Sequence, residues 1–329
     1  GHSAVYLMVA RDEEVASEYG AFIDTCNQDR KNIDRSITQQ AHELIERSII
    51  KKFRKTIWNP FTLAVRQYQL IQPGDKIAVC ISGGKDSMLM AKLLQELQKY
   101  SEVPFELVYL VMDPGYNELN RKKIESNAAL LHIPITIFET DIFSVANNTE
   151  KNPCYLCAKM RRGHLYSKAK SLGCNKIALG HHFSDVVETT VMSMFYGAQL
   201  QVQTMMPKLH SKNFEGMELI RPMYCIHEDD ILSWKRYNDL EFIQCACRFT
   251  ENCAMCDNDV SVSKRQETKL LLRRLKRDNP NIEKSIFNSI HSVCLDTMVG
   301  YKSRGVTHTF TEIYNTRTEE LKKESTEDE

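Results

Sequence analysis

The chain has 329 residues, 42% of them hydrophobic, with Lys plus Arg and Asp plus Glu both at 43, so its formal net charge is zero. That length allows one large domain or one domain with appendages, and the even charge leaves a polyanionic partner to be met by local clusters only. No stretch approaches the roughly 18 to 20 uninterrupted apolar residues of a membrane span, and no secretory signal opens the chain, so a soluble cytoplasmic protein with no membrane partner is expected.

Gly1-His2-Ser3 reads as a cleaved-tag scar. From about Ala10 to Gln69 the sequence is polar with helical periodicity, as in Ala41, Leu44, Ile45, Ile49 and Ile50, and two or three helices are expected. Pro73-Gly74-Asp75 then punctuates the chain. Lys76 to Ile81 is a short apolar run that ends in Ser82-Gly83-Gly84-Lys85-Asp86-Ser87, and Met88 to Tyr100 has helical spacing. Strands follow at Phe105 to Met112, Ile133 to Phe138 and Lys176 to Leu179, alternating with helices at Asn117 to Leu131, Leu156 to Leu172 and Ser184 to Tyr196. This alternation predicts an α/β fold, a doubly wound parallel sheet covered by helices on both faces. A last strand at Glu218 to Ile220 precedes helices near Glu228 to Tyr237, Val262 to Arg277 and Ile282 to Val293, and the charged tail is expected to fray.

A glycine pair between strand and helix lets backbone N–H groups and the helix dipole converge on an anion. Lys85 adds a mobile cation, Ser82 and Ser87 add hydroxyls at the rim, and Asp86 could hold a magnesium ion that shields phosphates. The loop lacks the spacing of Walker-type sites and of dinucleotide-binding folds, which argues against a GTPase or a dehydrogenase. SGGKDS resembles the PP-loop signature of N-type ATP pyrophosphatases, enzymes that split ATP between the α and β phosphates and transfer AMP to a substrate oxygen. The resemblance implies that Ser82, Gly83, Gly84, Lys85, Asp86 and Ser87 hold the leaving pyrophosphate. Asp113, at the end of the second strand, either contacts the nucleoside part of ATP or caps the turn at Pro114-Gly115.

Eleven cysteines is a high count for a chain without an export signal, and in a reducing compartment such thiols ligate metal or do chemistry more often than they pair. Cys154 and Cys157 form a CxxC, Cys245 and Cys247 a CxC, and Cys253 and Cys256 a second CxxC. Spacing leaves three readings open: a closed four-ligand zinc site, a persulfide or redox thiol, and an iron-sulfur cluster on three thiolates with one iron open. Cys80 and Cys174 suit packing as small apolar residues.

The run Pro153 to Gly163, with Lys176-Ile177-Ala178-Leu179-Gly180-His181-His182, Met194-Phe195-Tyr196-Gly197, Pro207-Lys208-Leu209 and Ile220-Arg221-Pro222, resembles the tRNA 2-thiocytidine synthetase family of PP-loop ATP pyrophosphatases. The likeness covers roughly Phe53 to Gly305. It implies the fold of adenine nucleotide α-hydrolases: an N-terminal helical region at 4–72, a PP-loop ATP-binding α/β domain at 73–225, a C-terminal helical region with the cysteine cluster at 226–305, and a charged, flexible tail at 306–329. It also implies ATP, Mg2+ and a [4Fe-4S] cluster as cofactors, with Cys154, Cys157 and Cys245 as cluster ligands. The chain departs from the family in its extra cysteine pair, which makes Cys247, Cys253 and Cys256 alternatives for the third ligand. Ser184, before Asp185, is a second departure, since relatives often carry a pair of aspartates there; Asp185 and Glu188 remain, with helix N-terminal carboxylates as the alternative reading.

By the same resemblance the reaction is tRNA thiolation: ATP adenylates a base carbonyl oxygen, and sulfur then displaces AMP. Asp86, Lys85 and Asp185 are the candidate catalytic residues, and the sulfur donor is a cysteine desulfurase or free sulfide. Expected alternatives are a persulfide-based thiolase with structural zinc and a non-catalytic tRNA-binding or redox-sensing relative. A tRNA needs cations around the mouth of the site, and Lys51, Lys52, Arg54, Lys55, Arg161, Arg162, Arg273 and Arg274 are candidates. The last two lie in a stretch with seven basic residues against one acid, Lys264 to Arg277, whose alternative reading is a helix that buries Leu271, Leu272 and Leu275. Whether two copies pair as a homodimer is left open.

Overall fold

Strand β1, Lys76–Ile81, owes its place at the centre of the sheet to a run of apolar residues that must be covered on both sides. Its side chains alternate between two cores: Ile77, Val79 and Ile81 join one, Ala78 and Cys80 the other. The computed structural model describes residue 28 and residues 40–142, 153–199, 205–243 and 264–327, with backbone alone for 153–158 and 319–327. The chain divides into two compact units, Gly1–Val186 with Gln203–Ser263, and Val187–Val202 with Lys264–Glu329.

In the first unit, residues 40–50 form α1, followed by a π-helical turn at Arg54–Trp58 and α2 at Asn59–Gln67. The six-stranded sheet runs β3-β2-β1-β4-β6-β5, with β2 at Glu106–Asp113, β3 at Ile135–Glu139, β4 at Lys176–Ala178, β5 at Lys208–His210 and β6 at Glu218–Ile220. All neighbours pair in parallel except β5 and β6. Helices α3 (Lys85–Tyr100), α4 (Glu118–Leu130) and α5 (Pro153–Ser171) join parallel strands, α6 (Phe183–Gly197), which passes into the second unit at Val187, lies between β4 and β5 in the chain, and α7 (Glu228–Tyr237) follows the sheet. From β1 the chain winds outward to β2 and β3, then returns to place β4 on the other side of β1. The two windings part at the carboxyl end of β1, where open α/β sheets bind their ligands. Ser82 to Ser87 begins at that point.

The doubly wound parallel sheet is therefore present, with one antiparallel edge strand, β5, that the sequence pattern did not announce. Trp234 and Ile231 of α7 are fully buried in the same core as Met88, Leu89 and Leu93 of α3, so residues 226–243 belong with the sheet. α1 is fixed to α3 by a buried ion network as well as by Ile45 and Ile49. Lys92 Nζ, fully buried, donates to Glu46 Oε1 at 2.5 Å, Gln95 Oε1 at 2.7 Å and the Leu131 carbonyl at 3.1 Å. Glu46 also meets His42 at 2.8 Å and Lys99 at 2.8 Å.

The second unit contains α8 (Lys264–Asp278), α9 (Ile282–Ser289), the hairpin β7 (Gly300–Ser303) and β8 (Val306–Thr309), and α10 (Phe310–Glu327). α8 buries Leu272, leaves Leu275 at 38% exposure and spends part of its charge locally: Arg265 pairs with Glu188 at 2.8 Å and Lys276 with Glu283 at 2.8 Å. Of the segment 306–329, expected to be a flexible tail, residues 306–327 form β8 and α10. Glu312 Oε2 accepts the Thr309 N–H at 3.0 Å, the carboxylate half of a capping box, and Phe310 stacks on Tyr314 one turn later. High charge concealed this start signal. Among the described residues no helix is long and apolar enough to cross a membrane.

Candidate active site

The loop after β1 closes on itself through its two serines. Ser87 Oγ accepts the Ser82 N–H at 3.1 Å and donates to the Gly84 carbonyl at 3.1 Å, and the two hydroxyls lie 3.1 Å apart. Ser82 and Ser87, expected as donors at the rim, thus also tie the loop together. Gly83 has φ of 84°, and a Cβ there would lie 2.5 Å from Ile124 Cγ1 and 2.7 Å from Ile243 Cδ1. Only glycine meets both demands. Lys85, Asp86 and Ser87 form the first turn of α3, so their backbone N–H groups stand at the positive end of the helix dipole.

The Lys85 ammonium sits between two carboxylates, 3.0 Å from Asp86 Oδ2 and 3.4 Å from Glu228 Oε1. Burial alone would lower its pKa, and the Asp86 and Glu228 carboxylates outweigh that effect and raise it, so the cation is firmly charged. Asp86 Oδ1 is buried with no hydrogen-bond partner among the described residues. A hard cation or a donor brought by a phosphate ligand would satisfy it, and with the glycine turn and the helix N-terminus this fits a nucleotide phosphate. Among the described residues no three His, Cys, Asp or Glu side chains form a ready-made metal cage.

His182 links the loop to the next helix, its Nε2 being 3.8 Å from Asp86 Oδ1 and 3.5 Å from Asp185 Oδ2. Asp185 accepts the His182 backbone N–H at 3.0 Å, a capping-box bond at the start of α6, so the helix-terminal reading holds for it and the structure also brings it within one imidazole of Asp86. Ser184 Oγ accepts the Glu228 N–H at 3.2 Å and so joins the starts of α6 and α7. Gly180 packs against the loop from below: a Cβ would meet Ser87 N at 3.1 Å and Asp86 C at 3.2 Å.

Asp113 lies at the carboxyl edge of β2, as expected. Its Oδ1 accepts the N–H groups of Gly115 at 2.8 Å and Tyr116 at 2.7 Å, and Oδ2 pairs with Arg121 at 3.3 Å. Of its two expected roles, the structure displays the turn cap. Arg221 is buried and donates to the Met206 carbonyl; burial, then the charge of Arg162, lowers its pKa to about 10. On α5, Arg161 is half-buried and Arg162 exposed, and on α8 of the other unit Arg273 and Arg274 are exposed. Lys51 and Lys52 do not ring the loop. Lys52 Nζ lies 4.3 Å from the Tyr237 ring at the far end of α7, whereas Glu228 at its near end meets Lys85.

The backbone of Cys154 and Cys157 lies in the first two turns of α5, three residues apart. In a parallel sheet that helix starts at the same edge as the phosphate loop. Their side chains, and all of Cys245, Cys247, Cys253 and Cys256, lie outside the described residues. Ile243, two residues before Cys245, is placed on the loop itself: its carbonyl oxygen would be 3.9 Å from a Gly84 Cβ. The approach is pinned by Asn127 Nδ2, which donates to the Glu241 carbonyl at 2.8 Å. Cys80 and Cys174 are buried packing thiols, and burial pushes Cys80 up to about 12 and the half-buried Cys225 up to about 11.

Sequence reasoning missed Glu228, His182, Gly180 and Ile243 as parts of this site. Gly180 and His182 stood inside a family-like run. Glu228 lies 143 residues from Lys85 in the chain, so no local spacing could reveal the pair.

A PP-loop domain model matches residues 48–248. The chain is 35% identical over 255 residues to the tRNA-cytidine(32) 2-sulfurtransferase of Cellvibrio japonicus, covering 75% of this chain and 79% of the relative. It is 34% identical to the enzyme of that name from Geobacter sulfurreducens over 73% of this chain and 90% of the relative. Among solved structures, the U34-tRNA thiolase NcsA of Methanococcus maripaludis, determined with its [4Fe-4S] cluster, superposes with a TM-score of 0.55 at 22% identity, covering 71% of this chain and 76% of that one. That likeness establishes the fold, and the sequence matches establish the kinship. By the PP-loop match and by relatives it resembles across most of their length, the chain belongs to the PP-loop proteins and, within them, to the tRNA-cytidine(32) 2-sulfurtransferase family.

Proposed function

We propose that this protein uses ATP to activate a carbonyl oxygen of a tRNA cytidine and replaces that oxygen with sulfur. The base oxygen attacks the α phosphorus, the bond to the β phosphate breaks, and pyrophosphate leaves. Sulfur then bonds to the base carbon, and the carbon–oxygen bond breaks to release AMP. The backbone N–H groups at the start of α3 and the Lys85 ammonium stabilise the charge on the departing pyrophosphate. Asp86, with its unsatisfied oxygen, is the residue placed to hold Mg2+ beside it. Asp185 and His182 position Asp86 from the other side.

Cys154, Cys157 and Cys245 are the residues that would hold a [4Fe-4S] cluster, whose open iron supplies a place for the incoming sulfur. The backbone of Cys154 and Cys157 opens α5, and Ile243, two residues before Cys245 in the sequence, packs against the loop. The single observation that carries the reading is the packing of Ile243, the last described residue before the distal cysteines, against Gly83 and Gly84. Activation and sulfur delivery then share one place. The sulfur source is a cysteine desulfurase or free sulfide, and the compartment is the cytoplasm.

Two measurements test this. Nucleosides of tRNA from cells lacking the gene should have lost 2-thiocytidine, and the anaerobically purified protein should release AMP and pyrophosphate only when tRNA is present. An unchanged nucleoside profile together with AMP release indifferent to tRNA would overturn the proposal.

A further inference from the structure

Residues 47–55, Arg47-Ser48-Ile49-Ile50-Lys51-Lys52-Phe53-Arg54-Lys55, carry five cations and no acid in a chain of zero net charge. They lie away from the phosphate loop. α7 starts beside Lys85 and ends at Tyr237, and its ten residues, at a rise of about 1.5 Å each, separate the two ends by roughly 14 Å. At that far end a cleft of about 600 Å³ opens between α1, the end of α4 and the end of α7.

The cleft has two kinds of wall. Leu44, Leu130 and Leu240 line its apolar side, and Leu44 is 64% exposed although it falls on the periodic apolar face of α1. Arg47, Lys51 and Lys52 line the other, all exposed, and none makes an ion pair among the described residues. Asp239 is the one acid in the lining, so the cleft keeps an excess of positive charge. Tyr237 stands between the walls, 56% exposed, with its ring against Phe53 in a T-shaped contact at 5.7 Å and under the Lys52 ammonium at 4.3 Å. Asn238 fixes this end of α7 by donating to Ser48 Oγ at 3.1 Å and to the Trp234 carbonyl at 2.9 Å.

An unpaired basic rim, an apolar floor and a held, exposed aromatic ring complement a nucleotide, whose phosphate is anionic and whose base has two apolar faces. An acidic peptide would use the cations and leave the ring and floor unexplained. We propose that this cleft is a second RNA-contact site, which takes a nucleotide flanking the reacting base, with its phosphate on Arg47, Lys51 and Lys52 and its base on Tyr237. The inference rests on the tRNA reading above and adds a point of attachment one helix length from the chemistry. The reacting base is thereby held by the RNA strand as well as by its own pocket.

The test uses the full-length protein, unmodified tRNA transcript and fluorescence anisotropy across a salt series. Lys51→Ala/Lys52→Ala should raise the Kd at least tenfold and reduce the slope of log K against log salt by about two, because two phosphate contacts are lost. Tyr237→Ala should weaken binding at least fivefold with the slope unchanged. Lys51→Arg/Lys52→Arg should bind like wild type, and ATP binding should be the same in all. Wild-type affinity and slope in both alanine variants, in a protein that still releases AMP with tRNA, would refute the cleft and leave the proposed function standing. A loss shared by the arginine variant would also count against it. If the wild-type protein itself ignores tRNA, the underlying reading fails first.

Discussion

Lys85 Nζ lies 3.4 Å from Glu228 Oε1, across 143 residues of chain, and this pair joins the phosphate loop to the start of α7. With Asp86 on its other side, the ammonium is held at the loop before any nucleotide arrives. Glu228→Gln keeps the backbone N–H that Ser184 accepts and removes the charge that orients Lys85. A charged hydrogen bond contributes roughly 1.5–3 kcal/mol, so tRNA-dependent AMP formation should fall by about 10- to 100-fold. Steady-state kinetics with a melting curve checks this: the melting temperature should hold while turnover falls.

Gly83 and Gly180 make opposite predictions for stability and similar ones for activity. At Gly83 a side chain meets both Ile124 and Ile243 and requires φ of 84°, so Gly83→Ala should abolish ATP binding and lower stability by at least ~1 kcal/mol. At Gly180 the backbone conformation is ordinary, and the obstruction is the loop's own backbone at 3.1–3.2 Å. A shift of a few tenths of an ångström relieves it, so Gly180→Ala should fold normally and still lose about tenfold or more in turnover through misplaced phosphate donors. Isothermal titration with ATP beside urea unfolding separates the two.

The strand, glycine loop and helix from Lys76 to Tyr100 were legible because each carries a local signal: a buried apolar run, a turn that needs glycine, and helical spacing. The alternation of strands and helices gave the parallel sheet, and the switch point came with the spatial strand order. β5 was not legible, since Lys208-Leu209-His210 is three residues long on an edge and shows no period. The hairpin was missed because its two four-residue strands, Gly300–Ser303 and Val306–Thr309, straddle the expected boundary between the C-terminal helical region and the tail. Glu228 and Ile243 reach the site by tertiary contact, which no spacing encodes. Asp113 shows the limit from the other side, because a turn-capping aspartate and a ligand-binding one share a single sequence pattern.

His42 introduces a pH dependence distinct from catalysis. Burial, then the charge of Lys92, lowers its pKa from 6.5 to about 4, and the ring stacks on His132 at 3.8 Å. The unfolded chain takes up this proton near pH 6.5 and the folded one does not, so stability present above that pH is lost as pH falls toward about 4. Glu46 titrates lower still: burial would raise its pKa, but hydrogen bonds from Glu96, Lys92 and Lys99 outweigh that and bring it to about 2. Between pH 7 and 5 the histidine is therefore the group to watch. The drop in melting temperature over that interval should shrink in His42→Gln, which can still donate to Glu46 and cannot titrate; an unchanged drop would exclude His42 as the cause.

Lys92 is fully buried with three acceptors, so its removal leaves more than a missing contact. Lys92→Ala opens a cavity and strands part of the Glu46 charge, a class of change that costs about 3–5 kcal/mol. Lys92→Met restores the volume and should cost less, and Lys92→Met/Glu46→Gln should recover part of the remainder through non-additivity. Chemical denaturation of the three variants gives the ordering, and the detachment of α1 should appear as faster proteolysis within residues 40–50.

Ile243 favours Cys245 among the distal cysteines as the third ligand proposed above. It packs against Gly83 and Gly84, and Cys245 follows it by two residues in the sequence. Cys253 follows ten residues after Ile243. Cys154 and Cys157, at the start of α5, stand at the same edge of the sheet. The expected result is that Cys154→Ser, Cys157→Ser and Cys245→Ser each lose iron and acid-labile sulfide after anaerobic purification. Cys247→Ser, Cys253→Ser and Cys256→Ser should keep both. Asp86→Asn should keep full iron and lose AMP formation, because Asp86 belongs to the phosphate loop. If Cys253→Ser and Cys256→Ser lose metal while Cys245→Ser does not, the third ligand is the distal CxxC; if the bound metal proves to be zinc without sulfide, four closed thiolates replace the open cluster and sulfur must travel on a cysteine instead.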